Sequence, residues 1–201
     1  MYKDKSLDAK IIEVSQQEFL DKGFRNASLR NISSKAGITT GALYTRYKNK
    51  DELFKSLIKL DLNKLAPDFN SCNSLYLKAK KTKDVKDFLL AIKTEEKVYL
   101  DLLFNNYLGC TLLITKSEGS KIYEGLLEAI ENKKNSTIKF FKEIQNKPFD
   151  LDIILLLMDQ NINFYRQILM QGYDKEKAQS LLKSFEIIVE ASFKRVFEEI
   201  I

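Results

Sequence analysis

Between residues 28 and 54 the chain carries three helix-capping residues and one turn glycine at spacings that leave little choice of local structure. Ser28, Thr39 and Asn49 each offer a side-chain oxygen to orphan backbone N–H groups at a helix start. Gly37 supplies the left-handed residue a helix C-terminus favours, and Ile38 follows to plug the corner. Glu52, three residues after Asn49, completes the pattern of a capping box. The expected result is a helix from Ser28 to Lys35 or Ala36, a tight turn, a second helix of about two turns, and the start of a third. In the short helix Leu43 and Tyr47, four apart, face inward. Thr40, Gly41, Tyr44 and Thr45 face outward. A helix so short and so poor in apolar side chains adds little to a core, and its small, hydroxyl-rich face suits insertion into a groove.

The rest of the 201-residue chain is dominated by helical periodicity, with no sustained period-two alternation. The spacing predicts a first helix from Ser6 or Leu7 to Lys22, closed by Gly23, and a fourth from Lys50 to Ala66, ended by Pro67. Residues 68–82 read as a polar loop or frayed start. Helices are expected over 83–97, from Val98 onward, over Ser120–Gln145, from Asp150 or Leu151 to Gln171 before Gly172, and from Asp174 to the end. The fold class is all-α: an N-terminal three-helix helix-turn-helix domain, residues 1–49, and a larger helical domain, residues 50–201.

Charge divides the chain in the same place. Residues 1–50 hold ten Lys and Arg against five Asp and Glu, while residues 51–201 hold 23 of each, so the whole excess of +5 lies in the first quarter. Such asymmetry points to a polyanion-binding module on a neutral body. A solvated basic surface is the plain alternative. There is no histidine, and Cys72 and Cys110 are the only cysteines. The commonest general base and metal ligand are therefore missing, two separated thiols make no zinc site, and no phosphate-binding glycine loop occurs. Enzyme function, a metal site and a cofactor are not expected. No apolar run reaches the ~18 residues of a membrane span, and no apolar signal core follows Met-Tyr-Lys-Asp-Lys, so a cytoplasmic location is expected.

The segment Ile11 to Phe54 resembles the DNA-binding domain of TetR-type (tetracycline-repressor-like) transcriptional regulators. The resemblance is carried by Ile12, Phe19, Gly23, Ser28, Ile32 with Ser33, Ala36-Gly37-Ile38-Thr39, Leu43-Tyr44, Tyr47, and Lys50 with Asp51, Glu52 and Leu53. Departures are mild. Ser15 and Ser33 replace a common Ala, Tyr47 a common Phe, and Arg46 a common His. The resemblance implies a dimeric repressor that binds operator DNA and is released by a small-molecule effector, with residues 50–201 as the helical effector-binding and dimerisation domain. An activator, or a helical interaction protein without an effector, is the alternative.

In a helix-turn-helix the second helix enters the major groove, so its leading residues must be small or the backbone cannot approach. Thr40, Gly41 and Ala42 fit, and Thr40 can bond a base edge or touch a thymine methyl. Arg30 can reach a guanine. Tyr44 projects toward a phosphate or base edge. Ser28, Thr39, Thr45, Arg46 and Lys50 complete the candidate DNA-binding set, aided by helix N-termini. In the remaining chain Phe88, Tyr99, Phe104, Tyr107, Tyr123, Phe141, Phe164 and Tyr165 are candidates for an effector pocket, with a hydrophobic or aromatic ligand. Plain aromatic core packing is the competing reading for each. Leu157, Tyr165, Leu181, Phe185, Ile188, Ser192 and Val196, on the last two helices, are candidates for a homodimer interface.

Overall fold

The computed structural model describes residues 5–59 and 62–201. Among them are ten α-helices and no strand: α1 Lys5–Asn26, α2 Leu29–Ala36, α3 Thr40–Arg46, α4 Lys50–Ile58, α5 Leu62–Thr82, α6 Val85–Asn105, α7 Tyr107–Thr111, α8 Lys121–Ile144, α9 Asp152–Gln171 and α10 Lys175–Ile200. α7 runs into a π-helical stretch, Leu112–Lys116. No single helix is long and apolar enough to cross a membrane among the described residues.

The chain forms two compact units. The first comprises residues 1–60 with 106–128, the second residues 61–105 with 129–201. This division is one of packing; the division expected from the sequence, 1–49 and 50–201, is one of role. α4 and the 106–128 segment pack with the first three helices.

The first unit is built on the inward stripe of α1. Ile11, Ser15 and Phe19 recur at i, i+4 and i+8 and are all fully buried. They meet Ile32 of α2, Leu43 of α3, Leu53, Phe54 and Leu57 of α4, and Leu112. Phe19, Phe24 and Phe54 form its centre, with Phe54 edge-on to both others at 4.8 and 5.2 Å. Gly23 sits inside α1 at φ 71°, a conformation that L side chains avoid, and kinks the helix so that Phe24 can turn into this cluster. The two Ala-to-Ser departures fare differently. Ser33 Oγ donates to the Leu29 carbonyl at 2.7 Å. Ser15 Oγ is buried without a partner.

The second unit is held by an aromatic core. Phe88 of α6 stacks on Phe197 of α10 at 5.0 Å and meets Phe141 of α8 edge-on at 5.4 Å. Val189, Phe193, Val196 and Ile200 extend this core along α10. The loop after α8 is tied to the end of α10 by the Asn146 N–H, which donates to the Ile200 carbonyl at 2.7 Å.

Three sequence expectations fail here. The fourth helix ends at Ile58, where Lys59 turns left-handed, not at Pro67. Pro67 lies inside α5, which covers residues 68–82 as well. As the sixth residue of α5, Pro67 forfeits the one bond its N–H would have made to the carbonyl four residues back, a local loss that the helix on either side survives. The polar composition of this helix hid a narrow stripe: Cys72, Tyr76 and Ala79, at i, i+4 and i+7, turn inward. Likewise residues 83–105 make one helix after Val85, not two.

Candidate nucleic-acid interface

The three expected caps all form. Ser28 Oγ accepts from the Asn31 N–H at 3.3 Å, Thr39 Oγ1 from Ala42 at 3.1 Å, and Asn49 Oδ1 from Glu52 at 2.8 Å. Glu52 reaches one residue further back than a capping box requires, accepting from the Lys48 N–H at 2.7 Å. Gly37 stands at φ 74° and donates to Ser34 at 3.1 Å, and the Ile38 N–H donates to Ser33 at 3.0 Å. These bonds close the C-terminus of α2 and set the angle at which α3 leaves.

α3 has one buried residue, Leu43. Its other face carries Gly41, Tyr44 and Thr45, all exposed, with Thr40 and Ala42 half-buried at the edges. Tyr44 is 49% exposed, uncommon for an aromatic residue on so small a helix. The Thr45 hydroxyl donates to the Gly41 carbonyl at 3.0 Å. A Cβ placed on Gly41 would meet only Thr39 Oγ1, at 3.9 Å. The fold itself therefore does not require glycine there.

The candidate cations differ in state. Arg30 lies exposed on α2. Arg46 is turned back toward α1, its Nε 2.9 Å from Asp8 Oδ1 and its Nη1 donating to the Ala42 carbonyl at 3.3 Å. Lys50 lies over the Phe24 ring, 4.8 Å from its centroid, and donates to the Arg25 carbonyl at 3.1 Å. Burial pulls its ammonium below the ordinary lysine value, against the opposing pull of Asp51 and Glu18. Both residues fix the frame around α3 in this arrangement.

Glu18 is the residue that sequence reasoning missed. It is 1% exposed. Lys22 donates to its Oε1 at 2.8 Å, the Ser28 N–H donates to the same oxygen at 3.1 Å, and the Asn31 side-chain amide donates to Oε2. Burial alone would raise its pKa, but these donors outweigh burial and the net shift is downward. An anion beside the first turn of α2 also meets the positive end of that helix. The available signal was an acidic residue interrupting the inward stripe of α1.

The candidate effector and interface residues do not gather in one place. Tyr107 and Tyr123 belong to the first unit, the other effector candidates to the second. Phe88 and Phe141 are buried in the aromatic core. Tyr99 lies 5.8 Å from Phe69. Phe104 is half-buried. Phe164 stacks on Phe185 at 3.8 Å, and Tyr165 lies near Glu96. Of the interface candidates, Ile188 is exposed, Leu157, Tyr165, Leu181, Phe185 and Ser192 are half-buried, and Val196 is in the core. α9 and α10 also expose Leu156, Met170 and Ile187, which the stripe reading missed.

This geometry is a helix-turn-helix, and the comparisons agree. Residues 11–57 match the family model of bacterial regulatory proteins, tetR family. The chain is similar to the transposon Tn10 TetC protein of Escherichia coli, 27% identical over 162 residues, covering 77% of this chain and 76% of that protein. It is also similar to the HTH-type transcriptional regulator SAB2452 of Staphylococcus aureus, 30% identical over 92 residues. That match covers 45% of this chain and spans half the length of the relative. Two solved structures share the fold at 16% identity. They are the fatty acid degradation regulator FadR from Bacillus halodurans (TM-score 0.52, 90% of this chain and 97% of that one) and a TetR-like transcriptional regulator from Rhodococcus sp. RHA1 (0.53, 92% and 96%). Residues 11–57 are thus a DNA-binding segment of the tetR type, and the chain as a whole shares the fold of such regulators.

Proposed function

We propose that the protein is a dimeric repressor that binds operator DNA through α3 and is released by a small-molecule effector. The observation that carries the DNA reading is the bare leading face of α3. Thr40, Gly41 and Ala42 present small groups, and nothing inside the chain explains the glycine. Close approach to a base edge does. Arg30 and Tyr44 flank that face, with the Ser28 N-terminus of α2 and the Lys50 N-terminus of α4 offering N–H groups to phosphates. Residues 1–49 form the module that touches DNA.

Dimerisation follows from need. One two-turn helix reads too few base pairs, and a second copy must reach the next major groove, ~34–36 Å away. The exposed Leu156, Met170, Ile187 and Ile188 on α9 and α10 support an interface there. TetR-like cytoplasmic repression is then a shift between DNA-competent and effector-bound forms. Moving such an equilibrium from 99:1 to 1:99 takes ~5.5 kcal/mol of differential affinity.

Selection from a random duplex library tests the reading. The expected product is a two-fold-symmetric site whose affinity falls steeply between 50 and 200 mM salt, on the order of a hundredfold or more for several phosphate contacts. R30A should weaken discrimination at one position per half-site by roughly 1–3 kcal/mol. No binding at the lowest salt overturns the proposal.

A further inference from the structure

The second unit holds a buried carboxylate oxygen to which its own fold brings no donor. Glu96 of α6 is 7% exposed, and its Oε2 is buried without a hydrogen-bond partner. A carboxylate buried as an anion normally has its counter-ion built in, since desolvation otherwise disfavours the charged form. Here the nearby cations are engaged elsewhere. Lys93 pairs with Glu190 of α10 at 3.0 Å, and Lys133 of α8 with Glu95 at 2.6 Å. From α5, Tyr76 donates to Glu95 at 2.6 Å, and Cys72 lies within the field of the same carboxylate. The charges that act on Glu96 are Glu186, Glu95 and Glu190, with Lys93 alone opposing them. Tyr165 of α9 lies within the field of Glu96, Glu186 and Glu95. Its chain neighbour Phe164 stacks on Phe185, the residue before Glu186.

We infer that Glu96 receives the positive charge of an organic cation with an apolar or aromatic body, and that Tyr165 and Glu186 complete its site. The inference rests on the effector-controlled reading above and names the chemical class of that effector. Carboxylates and aromatic faces together favour an ammonium over a neutral or anionic ligand. A bare metal ion fits poorly, since no group of three or more potential metal-ligating side chains is close enough to hold one among the described residues. Burial first, then the neighbouring carboxylates, push the Glu96 carboxyl up to about 8. At neutral pH it is mainly protonated until the cation arrives, and binding expels that proton.

The test is calorimetric titration of the full chain with benzyltrimethylammonium and with its uncharged isostere neopentylbenzene. At pH 8.5 the cation should bind at least tenfold more tightly than the isostere. E96Q should lower cation affinity at least tenfold and leave the isostere within twofold. For the unaltered protein, cation affinity should rise about tenfold per pH unit from 6 toward 8 and then level off, with matching proton release. Equal affinity for the two probes, no cation binding, or full cation binding in E96Q overturns the inference. Should E96Q fail to fold, the pH series decides alone, and a flat profile overturns it. DNA affinity is measured separately. Glu96-dependent cation binding that leaves DNA affinity unchanged upholds this site and removes the effector reading instead.

Discussion

Glu18 in the first unit and Glu96 in the second are withdrawn from water to nearly the same degree, 1% and 7% exposed, yet they are opposite chemical objects. Glu18 receives an ammonium, a backbone N–H and an amide, so its carboxylate is held as an anion. Glu96 Oε2 receives no donor, and its carboxyl is raised to about 8. Burial acts in the same sense on both; the donors reverse its effect in one case only. The first unit thus spends its buried charge on positioning α2 and, through Gly37, α3. The second unit keeps a buried carboxyl uncommitted, as a site awaiting a cation would.

The largest expected effect tests the Glu96 side. In the unfolded chain its carboxyl titrates near its ordinary value of 4.5, and in the fold near 8. Between those values the folded state binds the additional proton. Glu96 therefore costs stability progressively as pH rises from about 4.5 to 8, at most roughly 1.4 kcal/mol per unit. E96Q should remove that slope and be more stable than the parent by roughly 3 kcal/mol at pH 8.5. Urea unfolding at pH 5 and 8.5 measures it. A parent slope equal to that of E96Q would erase the contrast between the glutamates.

Glu18 has the reverse sign. Its folded pKa is lowered, so its contribution is present above its unfolded value and is lost as pH falls through the lower folded one. E18Q should cost about 2 kcal/mol at pH 7, the scale of hydrogen bonds to a charged group lost with their partners left behind. The loss should shrink below pH 4. DNA affinity should drop with it, because Ser28 and Asn31 at the head of α2 lose their anchor. Equal stability of E18Q and parent at pH 7 would show that the donors contribute nothing net.

The difference between the glutamates also marks what a sequence can reveal. The caps, Gly37 and the outward face of α3 were legible because each depends on neighbours within four residues, where stereochemistry leaves few options. The state of both buried glutamates is set by groups far along the chain: Asn31 is thirteen residues from Glu18, and Glu186 and Glu190 of α10 act on Glu96 of α6. No local pattern reports such partners. Pro67 failed for a related reason. A proline rule applied without the helix start cannot distinguish a second turn from an interior. The aromatic residues read as a pocket were ambiguous from the outset. Packing places Phe88 and Phe141 in the core, while Phe164 stacks on Phe185 and Tyr165 lies within the field of Glu96.

A smaller effect separates the two serines of the first unit. Ser15 Oγ is buried and unpartnered, whereas Ser33 Oγ bonds the Leu29 carbonyl. S15A should stabilise by about 1 kcal/mol, since it removes an unsatisfied polar group without changing volume much. S33A should change stability by less than about half of that, because a bond and its desolvation cost leave together. Equal shifts in urea midpoint would mean that Ser15 finds water in solution.

The change in stability expected at Gly41 is also small, and it is the most informative about function. Its backbone is helical and a Cβ there would touch nothing nearer than 3.9 Å. G41A should therefore stabilise the fold slightly, by about 0.5 kcal/mol, less than the ~1 kcal/mol of a helix interior because the site lies in the first turn. A glycine kept at a position where alanine is better for the fold has to be justified from outside the chain. If α3 sits against base edges, the added methyl group meets DNA, and operator affinity should fall tenfold or more while the urea midpoint rises. Should G41A gain stability and keep its DNA affinity, α3 does not approach the groove through this face, and the first unit would lose the feature that ties its architecture to DNA.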